Sequence, residues 1–241
     1  MLAQNPKIPL NQQLRYAGIE PPFLVKSRLD APLKVKKPSI IGVQFMGDLF
    51  HKDVSLDQIN SVFIKMLWAD WHTFIVLTKR PERMLDFVNI GEGWRGKMKN
   101  VWLGVSVSTQ EDADRLIPVL LQIPASVRII SVEPTLEQID ISTGPTFWDD
   151  PSAGIKWVIV GAESGPKRRP CKIEWIESLV RQCVDAGVPV FVKQAEVGGK
   201  VVSTPEIMGR VWDQLPGEEM CPHCNHLPCL GEFDASDCIS I

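Results

Sequence analysis

No cysteine occurs before Cys171, and no run of apolar residues approaches the roughly 20 that a helix needs to cross a bilayer. The opening residues, MLAQNPKIPLNQQ, lack the charged-then-apolar order of a secretory signal. Together these set aside a helical membrane span and export, and the expectation is a cytoplasmic protein with no membrane partner. A disulfide framework is missing as well, because Cys221, Cys224, Cys229 and Cys238 crowd into the tail instead of spreading through the chain. Nor is there a Ser/His/Asp arrangement of the hydrolase kind, or a phosphate-cradling G-x-x-x-x-G-K-[ST] loop. His51 and His72 lack metal-ligand spacing, and His72, standing just before an apolar run, is expected to be structural. No internal repeat is found, and the one turn-rich stretch is STGPTFWDDPSAG, residues 142–154.

What remains is a chain of 241 residues, 44% apolar and 23% charged, long enough for one α/β barrel or two smaller domains. A net charge of -3 gives no global attraction to nucleic acid, but the charge is patterned. Cations cluster at Lys34, Lys36 and Lys37, at Lys79, Arg80 and Arg83, and at Lys167, Arg168 and Arg169, while the tail from Glu206 onward is acidic.

Near-continuous apolar runs rich in β-branched residues recur: SIIGVQFM, TFIVLT, VWLGVSV, VRIISV, KWVIVG and VPVFVK. They are too short for helices and lack polar alternation, which predicts strands buried on both faces. Between them, Leu56, Ile59, Phe63 and Met66, and later Ile176, Leu179, Val180 and Cys183, repeat at helical spacing. Ser55 with Gln58 and Ser108 with Glu111 fit capping boxes, and Gly187 fits the end of a helix begun near Ile173. Pro118 is expected to break the helix after Ser108 into two short ones. The alternation predicts a parallel sheet with right-handed crossovers, as a doubly wound sheet or a partial or near-complete parallel (β/α) barrel of about six visible strands. The organisation is read as an irregular segment 1–38, the barrel 39–195 and a C-terminal extension 196–241.

In parallel α/β folds the loops after the strands build the site, and these strands close on charged groups. Asp48, Lys79, Arg80, Glu133, Glu163, Ser164, Lys193 and the Lys167–Arg169 cluster all follow strand patterns, which predicts one polar rim. Asp48 and Glu133 suit orienting a ribose or an amino group, or else capping the next helix. Gly161 admits a ligand close to the backbone, and Glu163 accepts hydrogen bonds from a hydroxyl, amine or cation. A structural role, with glycine for a turn and glutamate beside a helix start, is the alternative. Lys79, Arg80, Lys167, Arg168, Arg169 and Lys193 suit phosphate oxygens, pointing to a phosphorylated or nucleic-acid substrate, or they form a solvated face. Trp102 and Trp157 lie in strand patterns and Trp68 and Trp175 in helical ones, where core packing accounts for most of them.

The tail carries a separate signal. In CPHCNHLPC, a C-x-x-C step brings Cys221 and Cys224 toward one metal, with Cys229 and Cys238 to complete four sulfur ligands, or three with His223 or His226. Zinc, free thiols in an acidic tail and an auxiliary iron-sulfur cluster are the readings.

GVQFMGDLFHKDV, HTFIVLTKRPERM, NVWLGVSVSTQEDADRLIPVLLQIPASVRIISVEPTL, KWVIVGAESGPKRRPCKIEWIESLVRQCVDAGVPVFVKQ and VWDQLP together resemble an uncharacterised phage-associated family of three-cysteine-motif proteins regarded as radical-SAM-like. The resemblance covers most of residues 30–215. It implies a partial (β/α) barrel whose first strand is followed by three cysteines holding a [4Fe-4S] cluster, with S-adenosylmethionine on the fourth iron and reductive cleavage yielding a carbon radical. Asp48, Glu133, Gly161, Glu163 and Ser164 are then the candidate cofactor contacts, VIVGAES being similar to the glycine-plus-glutamate strand ending of such barrels. This chain has no such cysteine loop. The first strand and the cluster loop are therefore expected to be missing, or supplied by a second chain, leaving the edge at SIIGVQFM open. Three outcomes stay open: an enzyme of radical-SAM type inactive alone, a non-catalytic nucleic-acid or partner-binding protein with a metal-binding tail, or a product without activity.

Overall fold

The computed structural model describes residues 24–44, 47–90, 98–141 and 154–217. The fold is mixed α/β, with seven main strands in mostly parallel ladders, which is the class the alternation of apolar runs and helical patterns predicts. Two compact units divide the chain: Met1–Val105 with Gln122–Ser126, and Ser106–Leu121 with Val127–Ile241.

The first unit holds helices α1 (Lys26–Leu29) and α2 (Ala31–Lys34), strand β1 (Ile40–Val43), helix α3 (Leu56–Trp68), strand β2 (Thr73–Thr78), helix α4 (Pro81–Ile90) and the start of strand β3 (Val101–Val107). β1 pairs parallel with β2, and β2 with β3, in the order β1-β2-β3. Helix α3 begins at the predicted capping box: the Ser55 hydroxyl accepts from Gln58 N–H while the Gln58 side chain accepts from Ser55 N–H. Its buried residues Ile59, Phe63 and Met66 recur at helical spacing, and Phe63 packs with Phe50 and Phe87 at centroid distances of 6.3 and 4.8 Å. The edge strand β1 is unlike the others. Ile40 is 47% exposed, and among the described residues only β2 pairs with it.

His72 is structural, as expected. Its Nδ1 accepts the Ser39 N–H at 3.1 Å, so Nε2 carries the hydrogen and donates toward Pro32 O and Val35 O, each at 3.1 Å. A neutral, buried imidazole thereby ties the segment before β1 to the start of β2. Trp68, in contrast, is not a core residue: it is 61% exposed, with Lys65 Nζ 4.3 Å from its ring.

The second unit holds the end of β3, helix α5 (Gln110–Leu120), strands β4 (Arg128–Val132) and β5 (Trp157–Gly161), helix α6 (Ile173–Asp185), strand β6 (Val190–Val197) and strand β7 (Lys200–Ser203), followed by the small hairpin β8 (Glu206–Ile207) and β9 (Arg210–Val211). β4, β5 and β6 pair in parallel, and β7 returns antiparallel on β6. β4 and β5 are buried at every residue, as strands covered on both faces must be. Two local expectations are corrected. The cap of α5 is Thr109, whose hydroxyl accepts from Asp112 N–H, one residue later than the Ser108–Glu111 box. Pro118 does not split the helix: its ring forfeits one backbone bond, to Asp114 O, while Leu116, Ile117 and Leu120 around it are all buried.

Helix α6 packs Ile176, Leu179, Val180 and Cys183 inward against β5 and β6. It ends where Gly187 was expected to end it: Gly187 takes φ +66°, Val188 N–H donates to Cys183 O and Gly187 N–H to Val184 O, the two bonds of a Schellman cap. The VWDQLP segment lies along β6. Val192 N–H donates to Trp212 O at 2.7 Å, the Gln214 side chain accepts from Val190 N–H, and Trp157 Nε1 donates to Gln214 O.

Ser55→Ala removes one half of the α3 capping box and is expected to cost about 1 kcal/mol, measured as a lower urea midpoint with an unchanged slope.

Candidate functional site

In the second unit, three strand ends meet around one carboxylate. The β6 ladder shifts register between Val160↔Val192 and Gly161↔Gln194, so Lys193 is the extra residue of a bulge. A bulge re-aims a side chain, and the burial pattern records it: Val190, Val192 and Ala195 are buried where strict alternation would expose Ala195. The re-aimed Lys193 Nζ lies 3.1 Å from Glu133 Oε1 at the end of β4. The Ser131 hydroxyl stands 3.4 Å from the other carboxylate oxygen.

Gly161, at the end of β5, makes room for this pair. A Cβ placed there would come within 2.6 Å of Glu133 Oε1 and 3.2 Å of its Cγ. Any larger residue here would displace the glutamate side chain that folds across it. Around it the backbone is fully tied: buried Thr135 donates its N–H and its hydroxyl to Gly161 O, and Gln194 exchanges hydrogen bonds with Ala162. Glu133 has 21% of its side chain exposed and Lys193 has 53%. The lysine can therefore swing aside while the carboxylate stays fixed.

Glu163 does not join that pair. Arg169 holds it, donating from Nε at 2.7 Å to one carboxylate oxygen and from Nη2 at 3.1 Å to the other, with Arg169 N–H adding a third bond. These bonds, side chain first, bring the Glu163 carboxyl down to about 2. Ser164 is exposed in the loop so closed. Arg168 turns to the β6–β7 ribbon, 3.7 Å from Glu196 and bonded to Gly199 O, and Lys167 is exposed.

The first unit carries its own strand-end cluster. At the end of β1, Gln44 takes φ +58° and its carbonyl accepts from Gly47 N–H. Asp48 then accepts from Phe50 N–H and from the Thr78 hydroxyl at the end of β2, each at 2.8 Å, and from Arg80 at 2.5 Å. Arg83 donates to the carbonyls of Phe50, His51 and Val54 and so fixes the same loop. Asp48 is thus a loop organiser with every neighbour occupied, and its partner Arg80 keeps 41% of its side chain exposed. Lys79 is exposed beside it. The predicted site residues therefore meet as two local clusters, Asp48 with Arg80 and Glu133 with Gly161 and Lys193. Sequence reasoning missed Ser131, Thr135 and Glu196. Only the break in alternation between Val192 and Ala195 could have flagged the bulge.

Residues 7–220 match the family model described as a protein of unknown function, DUF5131. The chain belongs to that family. No curated protein and no solved structure matches it. No helix among the described residues is long and apolar enough to cross a membrane.

A [4Fe-4S] cluster needs grouped thiolates, and the described residues do not fit one. Cys171 and Cys183 are buried, burial pushes both thiols up, and no three His, Cys, Asp or Glu among the described residues are placed to hold a metal. Cys221, Cys224, Cys229 and Cys238, the expected zinc ligands, lie outside the described residues.

Gly161→Ala is expected to displace the Glu133 side chain at a cost of about 1 kcal/mol, the low end for overpacking because a flexible side chain can yield. Once the alanine is present, adding Glu133→Gln should change urea stability no further. For Glu163, a folded value below the ordinary one means its bonds to Arg169 contribute above the unfolded pKa and are lost as pH falls toward 2. Carbon-detected NMR of the Glu163 carboxyl should accordingly show no midpoint between pH 4 and 5, and Arg169→Ala should restore one.

Proposed function

We propose that the Glu133–Lys193 pair receives the amino-acid end of S-adenosylmethionine, the cofactor that the likeness to phage-associated, radical-SAM-like proteins implies. The observation that carries this reading is the bulge at Lys193, which spends a ladder position to set an ammonium beside a carboxylate held over Gly161. An acid and a base side by side at the end of a sheet suit a zwitterion. The ligand's ammonium replaces Lys193 against Glu133, its carboxylate takes the displaced lysine, and no charge is left unpaired. Gly161 gives the Glu133 carboxylate room to lie over the strand end, and Thr135 and Gln194 keep that strand end from yielding.

Bound, the cofactor supplies an activated sulfonium, and the residues here bind and orient it. The described cysteines, Cys171 and Cys183, do not fit a cluster. The substrate class follows from no residue of this pair.

Calorimetry of the full chain with S-adenosylmethionine tests the proposal. Binding is expected, weakened at least tenfold, about 1.4 kcal/mol, by Glu133→Gln and by Lys193→Ala separately. Adenosine binding as tightly as the whole cofactor, or no heat at millimolar ligand from folded protein, overturns it.

A further inference from the structure

A second surface of the same unit is distinct from the Glu133 pair and points to a different ligand. It consists of the loop from Glu163 to Lys172 and the β6–β7 ribbon. The loop is fastened twice, at its base by Glu163 with Arg169 and near its apex by Arg168, which bonds Gly199 O at 2.5 Å and faces Glu196. Glu196 also lies close enough to Cys171 to help raise its thiol, behind the larger effect of burial. The segment 168–171 therefore follows the ribbon, and Lys167 and Lys172 flank it while Lys200 stands at the ribbon's turn.

The charges on this surface do not cancel. Residues 163–172 and 194–200 hold five cations and two carboxylates, and both carboxylates are taken by Arg168 and Arg169. Lys167, Lys172 and Lys200 are exposed, and no carboxylate among the described residues pairs with them. A local excess of positive charge on a chain of net charge -3 is not a property of the whole surface. The turn itself is narrow. Gly198 and Gly199 take φ +57° and +76°, and a Cβ at either would meet nothing within 4 Å, so a large ligand can approach the backbone there.

The planar fork of arginine suits carboxylate and phosphate alike, but both arginines here are turned inward to Glu163, Glu196 and Gly199 O. What is offered outward is three lysines, point charges that suit phosphate oxygens, together with a half-buried Trp175 whose ring lies 5.4 Å from Lys172 Nζ. Spaced cations beside an aromatic face are the elements by which single strands are held, the backbone by charge and a base by stacking. We infer that the loop 163–172 and the β6–β7 turn bind single-stranded nucleic acid through Lys167, Lys172 and Lys200. This does not depend on the adenosylmethionine reading.

Fluorescence anisotropy of a labelled 15-nucleotide single strand, titrated with the full chain between 50 and 300 mM salt, tests the inference. Binding should weaken as salt rises. Lys167→Ala with Lys200→Ala should lower affinity at 50 mM salt at least tenfold and flatten the log–log salt slope by roughly 1.4, about 0.7 per lost phosphate contact. Lys172→Ala alone should flatten it by half that. These side chains are exposed, so melting temperature should not move, and the double variant should keep its calorimetric response to S-adenosylmethionine. Glu133→Gln should bind the strand like the parent. No anisotropy change at 50 mM salt overturns the inference, as does an unchanged slope in the variants. Displacement of the strand by polyglutamate or by anionic lipid vesicles at equal charge also overturns it, in favour of an acidic protein or a membrane surface.

Discussion

The Glu133 carboxylate occupies the space that a side chain at position 161 would need, and most of what is distinctive about the second unit follows from that exclusion. Glycine at position 161 lets the carboxylate lie where it does, and the carboxylate is held there by a lysine delivered by a bulge. A regular β6 would have kept Val192, Gln194 and Glu196 in one alternating series and turned Lys193 with the opposite set. The inserted residue changes the face of everything after it, which is why Ala195 is buried and Glu196 reaches Arg168. One irregularity in a ladder thus sets both the ion pair and the ribbon that continues past it.

The charged residues at strand ends divide by how fully they are occupied. Asp48 accepts three hydrogen bonds and Glu163 accepts three, and both spend their charge on holding a loop. Glu133 is engaged by a half-exposed lysine and a distant hydroxyl, which leaves it exchangeable. The two loop carboxylates, Asp48 and Glu163, are held by arginines, whereas Glu133 is held by a lysine. The same division explains why the arginines of the Lys167–Arg169 cluster are internal fasteners while the lysines face outward.

Several features were legible before any coordinates. The apolar runs marked β2, β3, β4 and β5 closely, the Ser55 box and Gly187 marked helix ends, and the strand-end carboxylates were named as candidates. The misses have local causes. Thr109 outcompeted Ser108 as a cap because either hydroxyl can reach a first-turn N–H and the backbone chooses. Pro118 is tolerated because the burial of Leu116, Ile117 and Leu120 holds the turn against the one backbone bond the ring forfeits. Trp68 sits at helical spacing yet faces outward, since the apolar stripe of α3 is complete without it. Among the strand-end candidates, direct contacts join Asp48 to Arg80 in the first unit and Glu133 to Lys193 in the second.

From composition and period the sequence determined the α/β class, the order of strands and helices, and the candidate residues, because burial on both faces demands unbroken apolar runs and helix ends demand particular caps. Which candidates meet was decided only by tertiary structure. Register is a relation between strands distant in sequence, so the β6 segment carries only a break in alternation at Lys193, and the collision of Glu133 with position 161 has no signature within either segment by itself.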